Sequence, residues 1–413
     1  MPHDDPRRAL ARLERWLLNE AYPVWTERGW DEKQGGFHER LTADGPVAAD
    51  ARRARVQLRQ IYSFARAPAL GWTEDTRGVV AEGLAHFFSR YRRPDGLART
   101  LVAPDGSAAD DTALLYDQAF ALLAFAEAHR LLGSEGGLRE AAEALLDRIY
   151  AVYQRSGWGF RSEGASERPL SSNPHMHLLE AALAWCSASE DERWRRLASY
   201  LVELALYYMI DPRTGVLREH FELDETELTG VAARLVEPGH QFEWAWLLLC
   251  AGGARGPDAC RPGLAGQPRR AASPREMPAP LFDAAARLIE ISEKHGVRDG
   301  VAVNSLLDDM TVHDPQARLW PQTERLKAHA LMARLTGERR HWQLATEAAE
   351  ALERYLDTGA RGLWYDRHLP DGSFPREPSP ASSFYHIVCA IGELASALDG
   401  AAPSPPAPAL GRG

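Results

Sequence analysis

The sequence is short of cysteine and of the local signatures that announce a bound cofactor. Its four cysteines, Cys186, Cys250, Cys260 and Cys389, are scattered without a CxxC pair. That argues against a disulfide framework or a zinc site and reads as a reduced, cytoplasmic chain. There is no G-x-G-x-x-G, no G-x-x-x-x-G-K-[ST], no H-E-x-x-H and no G-x-S-x-G; histidines and acids are numerous enough to leave a metal site open, but no short-range ligand spacing supports one. No run approaches the ~18 apolar residues of a membrane span, and the opening MPHDDPRRALARLERW lacks the apolar stretch of a secretory signal. Positive charge is also scarce relative to negative. A net charge of -10 disfavours nucleic acid or an anionic membrane as partner and leaves a neutral small molecule open.

What is present is helical periodicity. Apolar residues make up 45% of the chain and charged residues 26%, enough for a large core. Apolar positions recur at spacings of three and four, and strand-like alternation is rare. The pattern predicts about twelve helices, over 6–28, 50–70, 73–92, 108–131, 136–153, 172–188, 190–210, 238–251, 279–295, 318–335, 338–356 and 380–398. Turns combining glycine with an aromatic recur at 30–38, 157–160, 213–221 and 361–374, as in a helical hairpin repeated every ~60–70 residues. Such turns are candidates for short hairpins at one end of a barrel. Residues 252–278, rich in Gly, Pro and Arg, read as a flexible surface loop within a single domain spanning 1–400, and 401–413 read as a disordered tail.

Four even-numbered helices open alike: Ser171-Ser-Asn173-Pro-His-Met-His177, Glu237-Pro-Gly-His240-Gln-Phe-Glu243, Trp320-Pro-Gln322-Thr-Glu324 and Ser382-Ser-Phe-Tyr-His386. In three of them a proline falls where the first helical residue is expected, and Ser or Asn is suited to cap two. If hairpins alternate up and down, these first turns converge on one mouth. A helix N-terminus disfavours imidazolium, so histidines there are expected to be neutral and able to take a proton at pH 7. The same dipoles stabilise an enediolate. Taken singly, each residue has a plainer role. A first-turn histidine is more often a capping residue, Glu180 and Glu243 each stand three positions after a histidine and suit a helical surface pair, Trp320 suits a core, and Arg52, Arg53, Arg55 and Arg59 suit a solvated face.

Together with Arg59-Gln-Ile-Tyr62-Ser-Phe64 and Tyr116-Asp-Gln-Ala-Phe120, these segments resemble the N-acylglucosamine 2-epimerase superfamily, from Trp16 to about Leu394. The resemblance implies an all-α (α/α)6 barrel with a central site and proton transfer through a cis-enediol(ate), without metal or nicotinamide. It implies that His386 is the main acid/base at C2 and His240 its partner. Arg59, Asn173 and His177 are implied to bind sugar, Glu243 to orient His240, and Tyr116 and Trp320 to wall the pocket, with Gln322 and Glu324 as further substrate residues. The segment Asn304–Trp320 resembles the mannose-isomerase branch, and Leu319 stands where disaccharide epimerases tend to carry a second tryptophan.

The expectation is therefore an isomerase of D-mannose and D-fructose, with D-lyxose and D-xylulose as a further pair, in a monomer or homodimer. The alternatives are a monosaccharide 2-epimerase of the mannose/glucose or N-acylglucosamine type, an (α/α)6 glycoside hydrolase using two carboxylates, and a sugar-binding protein without turnover.

Overall fold

A computed structural model describes residues 5–47, 49–163, 169–221, 228–253 and 277–400. Among them twelve helices follow one another as the periodicity predicts. Helix α1 runs Pro6–Trp16, passes through a π turn at Leu17–Ala21 and continues as Tyr22–Arg28. Then come α2 (Ala54–Arg66), α3 (Arg77–Arg90), α4 (Leu115–Leu132), α5 (Leu138–Tyr153), α6 (Ser172–Cys186) and α7 (Glu192–Leu204). The chain continues through α8 (Pro238–Ala251), α9 (Ala279–Ile291), α10 (Leu319–Thr336), α11 (Arg339–Leu356) and α12 (Ser382–Asp399). Most of the expected 252–278 loop and the whole 401–413 tail lie outside the described residues.

The even-numbered helices form a closed ring, each packed on the next and α12 packed back on α2, with the odd-numbered helices against its outside. This is an (α/α)6 barrel. Burial follows the pattern of each sequence. Outer α1 buries a stripe at Ala9 and Leu13, whereas inner α8 is buried from Pro238 to Cys250, as a helix enclosed on all sides must be.

A repeated polar device ties the rings together. Five of the six outer helices end in a tight hairpin, bridged at Trp30–Phe37, Arg92–Ala98, Gln154–Phe160, Ile210–Leu217 and, as a two-stranded pair, Val297–Ala302. The fourth residue of the following inner helix reaches back to it. Gln57, Gln118, Gln241 and Gln322 each accept from one backbone N–H of the hairpin and donate to the carbonyl of the same residue, at 2.6–2.9 Å. At the third repeat His175 takes the amide's place, accepting from Phe160 N at 2.9 Å. At the sixth, Ser379 bonds both backbone groups of Trp364. The hydroxyls of Tyr91, Tyr153 and Tyr355 likewise donate to the carbonyls of Arg52, Ala113 and Ala317, each two residues ahead of an inner helix. These bonds explain the Gly-aromatic period seen in the sequence, and they leave no freedom in where an inner helix begins.

All six inner helices therefore start at one end. None has a side chain capping its N-terminus, so the expected Ser or Asn caps are not used. Of the three prolines, only Pro238 is the first residue of its helix. The helices holding Pro174 and Pro321 begin two residues earlier, where pairing of the preceding strands (170–171 and 317–318) ends. The uncapped N–H groups face the barrel mouth, which gives it a positive edge.

Candidate active site

A cavity of about 420 Å³ opens at that mouth, and every inner helix contributes to its wall. Eight of the ten sequence-predicted residues line it: Arg59, Tyr116, Asn173, His177, His240, Glu243, Trp320 and His386. The indole of Trp320 lies between the two candidate catalytic imidazoles, with ring centroids 4.9 Å from His240 and 5.7 Å from His386. Close packing fixes that indole, because Gly239 has no Cβ to occupy the space it fills.

Gln322 and Glu324 do not contact the cavity. Gln322 is buried, and its amide is consumed by Ala302 and by the Arg318 carbonyl, so it positions a hairpin rather than a sugar. Glu324 stands behind His386, its Oε1 2.9 Å from Nδ1. A carboxylate only accepts, so Nδ1–H donates and Nε2 keeps its lone pair. Burial, with Arg59 and Lys327 nearby, holds His386 well below the ordinary histidine range, so it is neutral. His177 is also neutral, with its pKa lowered to about 4 mainly by burial, and its Nδ1 lies 3.1 Å from Glu180 Oε2. Glu180 does pair with the histidine three positions before it, but in the interior rather than on a surface.

His240 departs from expectation twice. The carboxylate that orients it is Glu219, with Oε2 2.7 Å from Nδ1, and not Glu243. Its pKa is also raised, to about 9. Burial opposes the charge, but Glu219 and Glu237 outweigh burial. Two carboxylates within 3.7 Å act more strongly than a helix dipole, so His240 is an imidazolium at neutral pH. Glu219 precedes a two-residue strand at 220–221 and was missed because its contact spans 21 residues of chain, with no helical spacing to reveal it. Glu243 lines the cavity with both oxygens buried and unpartnered. Burial and Glu324 push its pKa well up, which favours its protonated form beside the ligand space.

Arg59 spans the floor. Nη2 donates to the Tyr116 hydroxyl at 2.7 Å, Nη1 to the Ser382 carbonyl at 3.3 Å, and its plane rests 4.3 Å from the Phe120 ring. The Asn173 Oδ1 is buried without a partner, as a group awaiting a hydroxyl would be. Sequence reasoning left Arg53 and Arg55 as solvated and did not single out Arg318, Asp366 or Ser383, yet all five line the cavity. Three sets, His177/Glu180/Glu243, Glu219/Glu237/His240 and Glu243/Glu324/His386, bring His and carboxylate atoms within 4.8 Å of one another and are where a cation would sit. In each the histidine Nδ1 already has a carboxylate partner.

Comparison with known proteins decides the family. The profile of the N-acylglucosamine 2-epimerase (GlcNAc 2-epimerase) family matches residues 35–390. The chain belongs to that family. It is a sugar isomerase or epimerase and acts on a small-molecule sugar. A protein named mannose-6-phosphate isomerase from Rhizobium meliloti (strain 1021) is 42% identical over 395 residues, covering 94% of this chain and 96% of that one. The fold matches a cellobiose 2-epimerase from Spirochaeta thermophila with a TM-score of 0.80 at 19% identity, covering 95% of this chain and 98% of that one. It also matches a D-mannose isomerase with a TM-score of 0.78 at 20% identity, covering 93% and 97%. Among the described residues no helix is long and apolar enough to cross a membrane.

Proposed function

We propose that this enzyme interconverts D-mannose and D-fructose, and D-lyxose and D-xylulose by the same chemistry, without metal or nicotinamide. Residues 1–400 act as one catalytic domain, as a monomer or homodimer in the cytoplasm. The observation that carries the reading is the placement of two imidazoles against one indole, each with its Nδ1 on a carboxylate, in surroundings that drive His386 toward its neutral form and His240 toward its charged form. A pair of groups whose surroundings drive their proton affinities apart supplies a base and an acid at the same pH.

In this reading His240 and the protonated Glu243 assist ring opening. His386 Nε2 then takes the proton from C2. Arg59 and the inner-helix N–H groups stabilise the enediolate oxygens; the protonated His386 delivers a proton to C1 while the O2–H proton passes to O1, which gives the ketose. Return to C2 from the opposite face gives epimerisation instead. The cavity also bears on whether the sugar is phosphorylated. Arg53 is paired with Glu39 at 2.7 Å, Arg55 with Asp117 at 3.1 Å and Arg318 with Glu237 at 3.5 Å, so three of the four guanidinium charges lining the cavity are answered by carboxylates, and the fourth, Arg59, is held by the Tyr116 hydroxyl and the Ser382 carbonyl. That supports a neutral hexose.

The test is product analysis in heavy water, with D-mannose and mannose 6-phosphate run in parallel. Fructose deuterated at C1 from free mannose is expected. Glucose deuterated at C2 establishes the epimerase, and turnover of the phosphate ester alone overturns the neutral-sugar reading. His386→Ala is expected to lose about 10²–10⁴-fold in kcat with its fold intact. Activity is expected to survive EDTA, and a loss restored by added metal refutes the metal-free step.

A further inference from the structure

One buried charge has no part in the steps above. Lys327, on α10, is wholly inaccessible to solvent, as is Glu324 one turn before it. Its Nζ lies 2.6 Å from Glu324 Oε2 and 3.9 Å from the centre of the Trp246 ring. The other oxygen of Glu324 holds His386 Nδ1. Lys327 does not line the cavity and cannot touch a sugar there. An ammonium so deeply buried is costly, and it is retained where it answers a charge that must itself stay.

We propose that Lys327 is a positioning residue that fixes the tautomer of His386 by keeping Glu324 a carboxylate. Glu324 is in a site that favours its neutral form: burial pushes its pKa up, and the charge of Glu180 adds to that, against the pull of Lys327. Without Lys327, Glu324 becomes a carboxylic acid. Its O–H then donates to His386 Nδ1, and the imidazole proton moves to Nε2. That nitrogen faces the cavity, and once protonated it cannot take the C2 proton. The proton balance is closed: Glu324 gains one proton from solvent, and His386 shifts its own from Nδ1 to Nε2. A wrong tautomer in an otherwise intact site lowers kcat by up to ~10⁴ in a serine protease, which sets the scale expected here.

The inference rests on His386 being the base, and its test separates the two. In wild-type protein labelled with ¹⁵N-histidine, NMR is expected to report His386, assigned by its loss in His386→Gln, as the Nδ1–H tautomer. An Nε2–H signal there overturns the proposal outright, and this readout needs no turnover. Lys327→Met is expected to shift that signal to Nε2–H and to lower kcat about 100-fold or more with KM within about threefold. Wild-type kcat, an unchanged tautomer, or a loss carried mainly by KM overturns it. In the Glu324→Gln background Lys327→Met is expected to cost under about threefold, because the lysine acts through Glu324. A full additional loss there means that Lys327 works by another route. Should Lys327→Met not fold, Lys327→Arg, which keeps the cation, is expected to retain the Nδ1–H signal and kcat within about tenfold. Loss of either refutes the tautomer role. A wild-type enzyme inert toward mannose but with His386 in the Nδ1–H form would remove the proposed substrate and leave this inference standing.

Discussion

The two halves of the cavity use the same pair of residues to opposite ends. On the α12 side His386 rests its Nδ1 on Glu324 at 2.9 Å, and on the α8 side His240 rests its Nδ1 on Glu219 at 2.7 Å. One imidazole is neutral and the other charged. The difference is the charge behind each carboxylate. Behind Glu324 stands Lys327, which spends that carboxylate's negative charge before it reaches the imidazole. Near Glu219 stands a second acid, Glu237, 3.7 Å from His240, and among the described residues no lysine or arginine is paired with Glu219. A His–carboxylate contact does not define an acid or a base, and the third charge decides which one results.

Removing the bonded carboxylate on one side only is the sharpest way to break the asymmetry. Glu219→Gln takes away the largest force holding the proton on His240. As an acid, His240 is active while protonated, so wild-type kcat is expected to fall on an alkaline limb near pH 9. In Glu219→Gln that limb moves down toward the ordinary histidine range of about 6.5, and activity at pH 8 drops by about 10–100-fold. An unmoved limb in the pH profile would mean that another group supplies the proton. Gly239→Ala tests the wall between the halves. A Cβ there would lie 2.5 Å from the Trp320 ring and 3.0 Å from Pro321, so the indole must shift against both imidazoles. A fall of about tenfold in kcat/KM is expected, with little change at His386→Ala, where one half is already lost.

How far the sequence led depended on the range of each signal. Helix periodicity is local, and all twelve helices, the alternating rings and the shared mouth followed from it. His240, His386, Arg59 and Trp320 came together because a residue's place in an inner helix sets its height in the barrel. Glu219 was invisible because it enters from a hairpin rather than a helix. Lys327 was hidden in an ordinary spacing: three residues after Glu324, it has the look of a solvent-exposed pair, and only closure of the ring makes it internal. The charge on His240 differs from expectation because the helix dipole was counted and the carboxylates of Glu237, three residues before it, and Glu219, 21 residues before it, were not. Gln322 was misassigned although its true role is written four times, since Gln57, Gln118 and Gln241 hold the same position in their helices.

That repeat offers the smallest and most selective perturbation. Helix α8 is tied to its hairpin by Gln241, whose amide bonds Leu217 N and O at 2.9 and 2.6 Å, and the same hairpin leads directly to Glu219. Helix α12 has no such glutamine; Ser379, ahead of the helix, does that work from a strand. Gln241→Leu therefore loosens the His240 half alone. It leaves two buried backbone groups without partners, at a cost of about 1–3 kcal/mol each, which thermal or denaturant unfolding will register. Because Leu217 is two residues from Glu219, the carboxylate's hold on His240 weakens too, and the alkaline limb is expected to drift down by a few tenths of a pH unit, far less than in Glu219→Gln. Gln118→Leu, which breaks the same tie on α4, a helix that carries neither His240 nor His386, is expected to lose similar stability with no movement of the limb. If the two variants shift the pH profile equally, the hairpins serve only as framework, and the acid's charge is set without help from the fold beneath it.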